Sequence, residues 1–116
     1  MRSRSNIQLK AIAALTCGMV FFVIGCKTLS QIAPPADERL VRVSGTALPA
    51  LERGRGIYLN QYIKCHVAEP VHDYSQQQWA RILPQMIKLS KLSPEQGAEV
   101  KAYIAACLAV GSGEEK

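Results

Sequence analysis

From residue 47 onward apolar side chains recur every three or four positions, the spacing of helices, and no Val/Ile/Thr-rich alternating run appears. Three helical patterns stand out. The first runs from about Pro49 to Tyr62, with Leu51, Tyr58, Leu59 and Tyr62 on one face and proline in a first turn, where it is tolerated. Gly54 and Gly56 each cost about 1 kcal/mol in a helix interior, so a packing reason for at least one is expected. The second pattern begins near Ser75, which has capping-box spacing to Gln78. Trp79, Ile82, Leu83, Met86 and Leu89 follow, and Pro84 should kink this helix or split it near residue 83. The third has Ser93 as N-cap, Pro94 at the first helical position and Gln96 completing a capping box. Val100, Tyr103, Ile104, Cys107 and Leu108 form its apolar stripe. The expected fold class is therefore all-α, with three main helices over residues 47–110.

The ends of the chain read differently. Arg2, Arg4 and Lys10 precede Ala11 to Gly25, fifteen residues without a charge. That length suits the core of a signal peptide better than a spanning helix, which needs about 20 residues. The stretch closes on Val23-Ile24-Gly25-Cys26, which resembles a bacterial lipobox, where the cysteine is lipidated and becomes the new N-terminus. The expected division is a lipoprotein signal over 1–25 and a flexible tether over 26–46, containing Pro34-Pro35 and Gly45. A frayed tail is expected over 111–116, with Gly111 ending the last helix. An uncleaved N-terminal anchor is the alternative. Either arrangement puts the domain outside the cytoplasm on a bacterial membrane. Lys27 after the cysteine, by enterobacterial analogy, favours the outer membrane facing the periplasm.

Charge adds little. The chain has fourteen Lys and Arg against nine Asp and Glu, a formal +5, and three of the basic groups belong to the leader. Nothing supports nucleic-acid binding once it is removed. No carboxylate pair, nucleophile–base set or phosphate loop suggests an enzyme, and no small-molecule substrate is expected. A domain this short buries little apolar surface, so a disulfide, metal or large cofactor would help it.

The sharpest chemistry is local. Residues 62 to 66 read Tyr62-Ile63-Lys64-Cys65-His66, the C-x-x-C-H haem-attachment pattern with tyrosine replacing its first cysteine. Gly54, Ile57, Tyr58, Cys65 and His66 fill the other places of G-x-x-[LI]-[YF]-x-x-x-C-x-x-C-H. With these residues, residues 48 to 109 resemble the cytochrome c family of monohaem domains. The resemblance implies a small cytochrome c-like fold whose last helix carries an aromatic, here Tyr103, across the glycine of the first, here Gly54. It also implies haem c held by a single thioether at Cys65, with His66 as proximal iron ligand and Met86 as the distal one. Tyr62 and Trp79 would pack against the cofactor. The function so implied is electron transfer between redox partner proteins, at a membrane to which Cys26 ties the domain.

Several alternatives stand beside this reading. His72 rivals Met86 as the sixth ligand, and iron with five ligands is a third arrangement. Cys107 is either a small buried hydrophobe or the partner of Cys65 in a disulfide, which would compete with haem attachment. Cys65, His66, His72 and Cys107 have the ligand types for zinc without a recognised spacing. The competing function is a haem-free, cytochrome-like lipoprotein acting as a structural or accessory binding module.

Overall fold

Side chains take up the unpaired N–H groups of several first turns. In the computed structural model, which describes residues 27–61 and 68–113, five α-helices and one 3-10 turn form, and the described residues contain no strand. They are α1 (Leu29–Ile32), α2 (Glu38–Ser44), α3 (Leu48–Gln61), the 3-10 turn Val71–Asp73, α4 (Gln76–Leu89) and α5 (Pro94–Gly113). The fold is all-α. The expected capping boxes form at α4, between Ser75 and Gln78, and at α5, where the Ser93 N–H donates to Gln96 Oε1 (3.0 Å) and the Gln96 N–H to Ser93 Oγ (3.2 Å).

α5 is the spine against which the other helices pack. Its buried stripe comprises Gly97, Val100, Tyr103, Ile104, Ala106 and Cys107. α3 buries Leu51, Gly54, Tyr58 and Leu59, and it meets α5 at Gly54. A Cβ built on Gly54 would lie 2.8 Å from the Tyr103 Cβ and closer still to the Glu99 carbonyl oxygen. Glycine is therefore required by backbone contact, and the aromatic opposite it is Tyr103, as expected. The Arg53–Glu99 ion pair (2.7 Å) borders this crossing.

Residues 27–46 are not a free tether. α1 and α2 occupy most of this stretch, and Ala33 and Leu40 belong to the core. Asp37 caps α2 by accepting from the N–H groups of Arg39 (2.9 Å) and Leu40 (3.2 Å), which hold its carboxyl below the usual range. Gly45 ends α2 in the left-handed region at φ 66°. Tyr103 donates its hydroxyl to the Pro34 carbonyl (2.6 Å), and Arg55 Nε lies 3.1 Å from the Ala33 and Pro34 carbonyls. The helix is too short to show a sustained period, which is why its pattern reads as linker.

Two further expectations meet the structure. Of the two outcomes expected at Pro84, the split does not occur: α4 runs unbroken through it, and Pro84 and Ala80, whose carbonyl it leaves without an N–H, are both exposed. Water can solvate that carbonyl. α5 continues past Gly111 to Gly113, so Gly111 does not end the last helix. The His72 ring lies 3.2 Å from where a Gly111 Cβ would stand, giving this glycine a packing reason. Among the described residues no helix is long and apolar enough to cross a membrane.

Candidate functional site

Cys26, Tyr62, Cys65 and His66 lie outside the described residues; the structure places what surrounds them in the chain. α3 ends at Gln61, which lines a cleft of about 480 Å³ with Gly56, Ile57 and Asn60, opposite Glu95 and Gln96 in the first turn of α5. The chain is described again at Ala68, which is buried. Glu69 then accepts a hydrogen bond from the Tyr58 hydroxyl. Gln61, the last described residue before the Cys-His pair, thus shares a cleft with the start of α5.

Met86 belongs to the same end. It is half-buried at the edge of the core, and its neighbour Ile87 packs over Gly97, with Cγ2 3.1 Å from where a Cβ would stand. α4 runs along α5 and makes no extended packing with α3. Its expected apolar face is unevenly covered. Trp79 and Leu83 are buried, Ile82, Met86 and Ile87 are half-buried, and Leu89 is 68% exposed. Leu89 is therefore not part of the core stripe.

Trp79 is a packing residue in these surroundings. It meets Tyr58 edge-on with ring centroids 6.1 Å apart and Tyr74 at 5.3 Å. Its indole N–H donates to the Val71 carbonyl at 2.8 Å, which meets the requirement of a buried indole for a partner.

His72 and Cys107 come together elsewhere, lining a cavity of about 40 Å³ with Asp37 and Leu40 at the C-terminal half of α5. Cys107 is a buried free thiol. Cys65, the other half of the alternative disulfide, lies outside the described residues. Among the described residues no three His, Cys, Asp or Glu side chains gather to hold a metal ion.

Burial pushes the Cys107 thiol from 9.0 up to about 11, and it raises the Tyr58 and Tyr103 phenols too. Between pH 9 and 11 the folded state therefore keeps protons that the unfolded chain releases. Stability is full below pH 9 and falls as pH rises through that window. Denaturant midpoints measured at pH 8 and pH 10.5 should differ, with the alkaline one lower; equal midpoints would mean that these groups are not buried in solution.

The distribution of chemistry was partly legible. The family resemblance implied the Gly54–Tyr103 crossing, while the pairing of His72 with Gly111 and Cys107 left no sequence signal, because it joins a surface turn to a helix end about forty residues away. No family model, curated protein or solved structure matches the chain.

Proposed function

We propose that the chain is a small cytochrome c-like domain that carries electrons through one covalently held haem, tied to a bacterial membrane by a lipidated Cys26. The observation that supports this reading is that chain neighbours of its expected donors lie at one end of α5. Gln61, the last described residue before the Tyr62–His66 motif, lines a cleft with Glu95 and Gln96, and Ile87, next to Met86, packs over Gly97. The uneven cover on α4 suits a flat apolar group at that end, since Ile82 and Met86 are half-buried and, among the described residues, no helix packs over them as α3 does over α5. Cys65 would hold such a group by its thioether, His66 would be the proximal ligand and Met86 the distal one. Haem, when bound, supplies a one-electron couple at iron. Cys65, His66 and Met86 would hold it and the apolar side chains beside them would exclude water, so that the chain would serve as a carrier rather than a catalyst.

A pyridine haemochrome spectrum of the protein from its native host tests this directly. The expected result is an alpha band to the red of the two-thioether position, with Cys65→Ala abolishing covalent attachment. Met86→Ala is expected to lower the reduction potential and change the reduced spectrum; an unchanged spectrum would return Met86 to a packing role.

One observation favours the haem-free accessory module. The described core satisfies its aromatic donors internally: Trp79 bonds to Val71, Tyr58 to Glu69 and Tyr103 to Pro34. None of the three needs a cofactor as hydrogen-bond partner. A colourless protein at apoprotein mass would decide for this module.

A further inference from the structure

A free linker of twenty residues after Cys26 would let the domain take any orientation to the bilayer. The structure removes most of that freedom. The backbone carbonyls of Ala33 and Pro34 are held by Arg55 and Tyr103, and Ala33 is fully buried. Ala33 is only the seventh residue after Cys26, a span of at most about 25 Å even when fully extended, and α1 shortens it. Within that span the Lys27 ammonium lies 3.3 Å from the Asp73 carboxylate in the 3-10 turn, and the adjacent His72 ring rests against Gly111. Lys27, the 3-10 turn and the last turns of α5 therefore form one end of the molecule.

We propose that this end lies on the lipid surface, with Leu29 in contact with the bilayer interface and the cleft at the start of α5 facing away from it. Leu29 is 58% exposed, an apolar side chain three residues from the expected acyl chains. The cleft residues Gln96 and Gln61 lie at the opposite end of the spine, since Gln96 and Gly111 are about 22 Å apart along the helix axis. Electrons would thus be exchanged on the side remote from the membrane, with partners in the aqueous phase. This orientation rests on acylation of Cys26.

The test uses the mature lipidated protein in phosphatidylcholine vesicles doped with a lipid carrying a photoreactive diazirine headgroup. Crosslinks are mapped on tryptic peptides and normalised to labelling by the same diazirine free in solution. The Thr28–Arg39 and Ala102–Lys116 peptides are expected to be labelled at least tenfold more than Leu92–Lys101. Equal labelling of the two α5 peptides, or an excess on Leu92–Lys101, would overturn the orientation while leaving the anchor intact. Labelling confined to Thr28–Arg39 would also overturn it, because a loose linker gives that pattern. An intact mass without acyl chains on Cys26 would overturn the anchor itself and the orientation with it.

Discussion

Gly54→Ala is expected to destabilise the domain by about 3 kcal/mol, the upper end of the range for overpacking, and to lower the melting temperature by more than about 10 °C. The added methyl would meet the Glu99 carbonyl and lie 2.8 Å from the Tyr103 Cβ. Neither neighbour is the end of a flexible side chain, so α3 and α5 must separate. Separation would strip contacts from Leu51, Val100 and Tyr103, all fully buried. It would also loosen the Tyr103 bond to Pro34 that helps hold α2 in place. Gly56→Ala is the internal control. Nothing lies within 4 Å of its added Cβ, so it should gain up to about 1 kcal/mol of helix propensity. Thermal melts of the two variants would check the pair; equal changes would mean that the helices do not cross at Gly54.

Trp79→Ala should cost about 3–5 kcal/mol and release α4 before the rest of the fold. The indole joins three parts of the chain at once. It stacks edge-on with Tyr58 of α3 and Tyr74, and it bonds the Val71 carbonyl in the 3-10 turn. Removing it leaves a large void and takes away the partner of a buried carbonyl. α4 is vulnerable because Trp79 and Leu83 are its two buried side chains and Pro84 removes one of its hydrogen bonds. Hydrogen exchange would show protection lost first across Gln76–Leu89. Uniform loss across α3, α4 and α5 would show instead that α4 unfolds only with the whole. Trp79→Phe should retain most of the packing and lose mainly the bond to Val71.

Helix starts and buried faces were legible where local chemistry decides them. Ser75 and Ser93 cap as their spacing requires, and Leu51, Tyr58, Val100, Tyr103 and Ile104 are buried as their periodicity requires. Local rules failed where a tertiary contact outweighed them. Lys91 is the clearest case at a helix end. It sits at φ 53°, while Leu92 N–H bonds the Ile87 carbonyl (3.1 Å) and Lys91 N–H the Lys88 carbonyl (3.2 Å). That is a Schellman ending without the usual glycine; the turn into α5 and the Ile87–Gly97 contact enforce it. Leu89 failed in the opposite sense, following the apolar period of α4 yet remaining exposed because, among the described residues, no element covers it.

By itself the sequence determined the all-α class, the caps of α4 and α5, and a packing reason for at least one of Gly54 and Gly56. Each depends on spacing along one chain segment or on the steric minimum of a residue type. Only the tertiary structure decided that residues 27–46 belong to the body, since one buried leucine and a few backbone carbonyls give no period to read. It alone also decided that Gln61 and Met86 share one end of α5 while Lys27 and His72 share the other. That arrangement depends on where α3, α4 and the N-terminal segment cross a common spine, and crossings are set by packing between residues far apart in the chain.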